Sequence, residues 1–260
     1  MNDNLEGRLD SLSPAKKALI EKLKAAKAGS DTPDSRRVIL KRSNPGSPAP
    51  LSFAQQRLWF LDQLEGPGAT YNMPSAIELV GPLDIPALEK VFVELCDRHE
   101  SLRTNFINVN GEPFQVIHES IAIEIAQINL ENLSAAAQKS EYEKISKETS
   151  QASFDLAKDK LLRLKLIRFN GHHHIILLVI HHIISDGWSN GNVMLKEICA
   201  LYEAFSKKRA SPLPALAIQY ADFAEWQRNL LDGQHLTKQV SYWTKKLQGI
   251  PALLELPLDF

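Results

Sequence analysis

The stretch Ile175-Ile176-Leu177-Leu178-Val179-Ile180-His181-His182-Ile183-Ile184-Ser185-Asp186-Gly187-Trp188-Ser189 decides the fold. Its opening apolar run, preceded by the turn-forming pair Asn170-Gly171, predicts a buried strand. The two histidines therefore sit where a core strand runs out. An imidazole with an ordinary pKa near ~6.5 can take a proton from an attacking amine, alcohol or thiol and return it to a leaving group. His182 is the candidate, because it alone stands four residues before an aspartate. Asp186 is placed to ion-pair with an arginine and brace the loop. Gly187 lets the backbone approach a substrate closely and leaves an amide N–H to meet a developing oxyanion. The segment reads as an acyl-transfer site.

A metal centre is the competing reading, since His172, His173 and His174 precede the pair. Adjacent histidines on a strand point to opposite faces, and no cysteine pair or second histidine cluster offers the remaining ligands at metal spacing. No metal site is expected. Working outward, Leu162, Leu164 and Leu166 alternate as a strand entering the Asn170-Gly171 turn, and Phe106–Val109 and Phe114–Ile117 flank Asn110-Gly111 as a hairpin. Ile121, Ile123 and Ile125 alternate as a further half-buried strand, as do Ile77 and Leu79. Ser52 with Gln55 forms a capping box for a helix carrying Phe53, Leu58 and Leu61, and Asp84 opens another carrying Leu88, Val91, Phe92 and Leu95. Residues 134–152 suit an exposed helix. Val193, Met194, Ile198, Leu201, Tyr202 and Phe205 mark a long amphipathic helix starting close to Gly187, whose dipole favours negative charge there. Final helices are expected around 219–231 and 235–248, with Trp226 and Trp243 as packing residues.

The histidine segment resembles the core motif of the condensation domains of nonribosomal peptide synthetases, which share the chloramphenicol acetyltransferase-like fold. Other segments resemble the family's motifs in the expected order: Ser52-Phe53-Ala54-Gln55-Gln56-Arg57-Leu58-Trp59-Phe60-Leu61, Arg98-His99-Glu100-Ser101-Leu102-Arg103-Thr104-Asn105-Phe106, and, after the histidines, Tyr220-Ala221-Asp222-Phe223-Ala224-Glu225-Trp226. The resemblance implies an α/β lobe with a mixed sheet flanked by helices. It implies that an acyl or peptidyl thioester on one carrier protein is transferred to the amine of an aminoacyl group on another. No cofactor is then bound directly; the phosphopantetheine arms arrive on the partner carriers. His182 and Gly187 take the catalytic roles, with His181, Asp186, Arg98, Arg103 and Trp188 supporting the site. The Asp-Gly-Trp-Ser ending favours an amide-forming member over an epimerising one, and a heterocyclising member would replace the first histidine. The family's later motifs are absent after Leu256-Pro257-Leu258-Asp259-Phe260, so residues 51–260 are expected to form the N-terminal lobe, weakly active or inactive without the second. Two other readings stay open: a noncatalytic docking or scaffolding remnant, and a coenzyme A-dependent acyltransferase.

Lys+Arg 30 against Asp+Glu 31 gives a formal charge of −1, so nothing draws the chain to nucleic acid or an anionic membrane. No apolar run is long enough for a signal sequence or membrane span, which with two widely separated cysteines, Cys96 and Cys199, suggests reduced core thiols and a cytoplasmic protein. Residues 1–29 predict a short amphipathic helix, opened by Ser13-Pro14 and stopped by Gly29, suited to docking on an upstream synthase subunit. Residues 30–50, rich in Ser, Pro and Asp, predict a flexible linker.

Overall fold

The computed structural model describes residues 38–231, 233–251 and 253. The expected docking helix and the first part of the linker lie outside these residues. From Leu40 onward the chain forms one compact unit. Its elements run β1 (Ala49–Pro50), α1 (Phe53–Glu65), β2 (Asn72–Val80), α2 (Ile85–Arg98), β3 (Thr104–Val109), β4 (Glu112–Ile117), β5 (Ile125–Asn129), α3 (Ala135–Gln151), β6 (Leu162–Asn170), β7 (His173–His181), α4 (Leu195–Ser206), α5 (Tyr220–Leu230) and α6 (Gly233–Lys246).

The larger sheet has the order β2-β7-β6-β5, antiparallel except for the parallel β5–β6 pair. The mixture follows from connectivity: β6 and β7 are joined by a tight hairpin, whereas β5 reaches β6 through the crossover containing α3. The period of two sends alternate residues to opposite faces. Leu162, Leu164 and Leu166 on β6, paired with Ile180, Leu178 and Ile176 on β7, join the main core with Leu88, Val91, Phe92 and Leu95 of α2 and Ile198 and Leu201 of α4. On the other face Ile167 and Leu177 meet Ile145 and Tyr142 of α3. Because both faces are covered, β7 reads as a continuous apolar run rather than an alternating one. Each fully buried side chain of this size stabilises the fold by about 1.5–3 kcal/mol.

The smaller sheet, β1-β4-β3, contains the expected hairpin. Asn110 and Gly111 both take positive φ, 54° and 90°, which a two-residue turn of this hand requires. The capping box is present, with Ser52 Oγ accepting the Gln55 N–H and Gln55 returning its side chain to the Ser52 N–H; Asp84 likewise accepts the Ala87 N–H.

Several expectations need correction. Ile121 and Ile123 pack against the main core, but the strand starts only at Ile125, where β6 offers backbone partners. The span expected to be linker includes packed residues before residue 50. The Arg42 side chain is only 4% exposed, its Nη2 lies 2.9 Å from a Glu100 oxygen, and its backbone N–H donates to Asp222 at 3.0 Å. Ala49 is buried and pairs with Gln115. Cys96 is buried and burial pushes its thiol up to about 12, as expected of an inert core thiol, but Cys199 is exposed. Trp226 is half-buried 5.8 Å from the Phe223 ring, whereas Trp243 is 53% exposed. Among the described residues no helix is long and apolar enough to cross a membrane.

Candidate functional site

The end of β7 separates the two histidines: His181 is its last residue and His182 the first of the turn that follows. His181 is buried, with its ring edge-on to Tyr71 and Phe154, while His182 is exposed. The main chain on both sides of His182 is fixed. Its own N–H donates to the Tyr71 carbonyl at 2.8 Å, and the next N–H, of Ile183, donates to His181 Nδ1 at 3.2 Å. That second bond requires Nδ1 of His181 to be the unprotonated nitrogen, so His181 works as a neutral acceptor under the loop.

Desolvation, with a smaller contribution from His182, pushes the His181 pKa down to about 4. The unfolded imidazole titrates near ~6.5, so between these values the unfolded chain binds more protons than the folded one. This contribution to stability is full above about pH 6.5 and is lost as the pH falls through the folded value, by up to about 3 kcal/mol. His181→Asn, whose side-chain oxygen can accept the Ile183 N–H, should remove this acid lability. Denaturant unfolding between pH 7 and pH 4 checks it; parallel pH profiles for wild type and variant would contradict the assignment.

Beyond the histidines the chain turns directly into a helix. Helical turns start at Gly187, pass through a wide π-turn over Ser189–Met194, and continue as α4. Asp186 is the N-cap: its carboxylate accepts the Ser189 N–H at 2.7 Å and its carbonyl accepts the Asn190 N–H at 3.0 Å. The Ser189 amide and hydroxyl, with His182 nearby, hold the Asp186 carboxyl below the usual carboxylate range. The brace expected from an arginine is thus supplied by backbone amides. Gly187 is the first helical residue, exposed, and apart from its chain neighbours and its own helix backbone nothing lies within 4 Å of where a Cβ would stand. Its φ is not in the left-handed region. What glycine provides here is open space above a helix N-terminus whose first amides lack partners within the helix. Trp188, beside it, is 71% exposed.

Neither arginine of the second motif reaches Asp186 among the described ion pairs. Arg98 instead pairs with Glu197 on α4 (Nε to Oε1, 2.9 Å), whose other oxygen is 2.6 Å from His99 Nε2. Arg98 also donates to the Pro214 carbonyl at 2.5 Å. Arg103 donates to the carbonyls of Cys96, at 3.1 Å, and His118, tying α2 to the end of β4. Arg98 therefore touches the helix that follows the histidine loop, and Arg103 holds the strand pair behind it. Glu197 escaped the sequence reading, and Gln55, read there only as a helix cap, also donates to the Ile183 carbonyl at 3.3 Å. Glu197 left a signal, a carboxylate on the apolar face formed by Met194, Ile198 and Leu201. The reach of Gln55 to Ile183 was hidden by its role as a helix cap.

No His/Cys/Asp/Glu group capable of holding a metal ion occurs among the described residues. A cavity of about 190 Å³ lies under α3 and is lined by Pro74, Ser75, Tyr142, Ser146, Thr149 and Leu177 among others; it includes no residue of the 181–189 segment. His182 is exposed and lies outside that cavity.

The family model described as "Condensation domain" matches residues 47–260. A linear gramicidin synthase of Brevibacillus parabrevis is 47% identical over 210 residues, 81% of this chain and 4% of that protein. Among solved structures, the X-domain from teicoplanin biosynthesis superposes with a TM-score of 0.73 at 28% identity, covering 86% of this chain and 48% of its own. The first condensation domain of the CDA synthetase gives a TM-score of 0.69 at 21% identity, over 79% of this chain and 52% of its own.

Proposed function

This chain belongs to the condensation-domain family, and from that premise we propose that it is the histidine-bearing lobe of a domain that forms amide bonds in nonribosomal peptide synthesis. The donor is an acyl or peptidyl thioester and the acceptor an aminoacyl group, each on the phosphopantetheine arm of a carrier protein. The amine attacks the thioester carbonyl, the C–N bond forms, and the C–S bond breaks to release a thiol. One proton must leave the amine and one must reach the departing sulfur. His182 takes the first and can return it to the second. An α-amino group has a pKa of about 7.7–8.0, so an unprotonated fraction exists at neutral pH and orientation of the amine is a large part of the task. The Gly187 amide, at a helix N-terminus, faces the charge that develops on the carbonyl oxygen.

The observation that carries this reading is an exposed imidazole on a backbone fixed on both sides, standing beside an open helix N-terminus. Amide formation between two loaded carriers, measured with wild type and His182→Ala in a protein containing both lobes, tests it. A second reading, a noncatalytic binding module, draws on the X-domain that was solved in complex with OxyB. Amide formation that requires His182 excludes that reading.

The second lobe is proposed to cover an apolar stripe on α6 and the turn that follows it. Leu236, Val240, Trp243 and Leu247 recur at helical spacing and are 45%, 54%, 53% and 48% exposed. Such a stripe, on a chain that spans 48% of a matched solved chain, suits the face of a second lobe. Residues 1–29 are proposed to dock on an upstream synthase subunit. Deleting residues 1–37, which keeps Arg42, should weaken co-elution with that subunit at least several-fold while leaving the melting temperature of the lobe unchanged; equal co-elution removes the docking role.

A further inference from the structure

We propose that Gln55 is a positioning residue for His182, an inference that rests on the catalytic reading of that imidazole. Gln55 lies on the first turn of α1, far from the histidines in sequence, and is 2% exposed. Its carboxamide spans three segments. Oε1 accepts the Ser52 N–H at 3.0 Å, while Nε2 donates to Gln115 Oε1 at 3.2 Å and to the Ile183 carbonyl at 3.3 Å. Gln115, 1% exposed, passes the chain onward by donating to the Pro50 carbonyl at 2.8 Å. A continuous buried line of amides thus runs from the small sheet, through α1, to the loop that carries His182.

The peptide planes flanking His182 are held by Tyr71 and by His181 Nδ1. Gln55 holds the plane after them, which joins Ile183 to Ile184, on its carbonyl side, and the Ile184 N–H donates to the His181 carbonyl at 3.1 Å. Without the Gln55 donor the Ile183 carbonyl is left buried and unpaired, and the loop gains by shifting until water reaches it. That shift carries the mount of His182 and the start of the helix at Gly187 with it. Near-attack geometry tolerates little of this: a displacement of about 1 Å can cost roughly 10²-fold in rate.

Gln55 is also half of a capping box, so its test must separate the two roles. Ser52→Ala removes the hydroxyl that caps α1 but keeps the backbone N–H bonded to Gln55 Oε1, leaving the reach to Ile183 intact. Gln55→Met keeps the shape and removes both ends of the carboxamide. In the present chain, Gln55→Met should broaden or shift the His182 ring resonances and speed amide hydrogen exchange over Ile183–Gly187 by roughly tenfold or more. Ser52→Ala should lower stability without doing either. Equal changes in the two variants, or none in Gln55→Met, overturn the proposal.

Should Gln55→Met not fold, the wild type still decides. The Gln55 carboxamide protons should exchange at least about 100-fold more slowly than those of the exposed Gln63, and comparable rates overturn the proposal. In a protein with both lobes, Gln55→Met should lower kcat by up to about 10²-fold with KM little changed. Failure of wild type to form amide bonds would strike the functional reading and leave the loop measurements standing.

Discussion

Replacing His182 by alanine in a two-lobed protein should lower amide formation by roughly 10²–10⁴-fold, the usual contribution of a positioned general acid–base group. The protein should stay folded, because the side chain is exposed, and exposed substitutions stay within about ±0.5 kcal/mol. The neighbouring His181 serves as the contrast. It is buried against Tyr71 and Phe154 and accepts the Ile183 N–H, so truncating it removes packing and strands a donor together. Activity lost with unchanged stability at 182, against stability lost at 181, is the pattern expected of one working and one supporting imidazole. Single-turnover measurement with both carriers loaded separates the remaining cases. A fall confined to the chemical step identifies proton transfer, a partial loss that high acceptor concentration recovers identifies amine placement, and an unchanged rate removes His182 from the mechanism.

A still larger effect is expected from the second lobe. Alone, this chain should form amide between loaded carriers no faster than the carriers do without it, and supplying the second lobe should raise the rate by at least about 10⁵-fold. That figure follows from the ~7–11 kcal/mol that correct placement of two reactants removes from a barrier. His182 and Gly187 are both exposed here, and under the proposed function they line only one wall for two tethered substrates. Rate assays on the chain with and without the added lobe check this, and robust turnover by the chain alone contradicts it. The α6 stripe gives a physical readout of the same event: Trp243 emission should shift to the blue on lobe addition, a shift that Trp243→Phe abolishes. Concentration-dependent dimerisation of the isolated chain with the same shift would identify a second copy as the occupant of that stripe.

The parts of the fold that a sequence can disclose are those where a single physical demand dominates. Strands β6 and β7 are legible because covering both sheet faces leaves no choice but apolar residues, and the Asn110-Gly111 turn because few other pairs tolerate two positive φ values. The opposite directions of His181 and His182 follow from strand alternation, but the exposure of His182 also needs β7 to end at His181, where the cover on its outer face stops. Residues serving two demands were harder. Gln55 satisfies a helix end and a distant loop, and only the first demand has a local pattern. Asp186 has the charge to suit an arginine, yet the nearest donors are the amides of its own helix, which local sequence always supplies first. Ile121 and Ile123 alternate as a strand does, but a strand also needs a neighbour, which β6 supplies only from Ile125. Trp243 and Cys199 show the reverse limit: an apolar pattern marks a face to be covered without saying which chain covers it.

The Arg42 clasp bears on how such domains could be exchanged between assembly lines. A recombination junction drawn where the family match begins, at residue 47, would discard the guanidinium and leave Glu100 with only Arg103, at 4.0 Å, and Asp222 with only the amides of its own helix start. Losing one partner of a buried pair costs up to about 3–5 kcal/mol when the charge left behind has no other partner, and the remaining contacts of Glu100 and Asp222 reduce that cost here. Chimeric synthetases joined upstream of Leu40 keep the clasp whole.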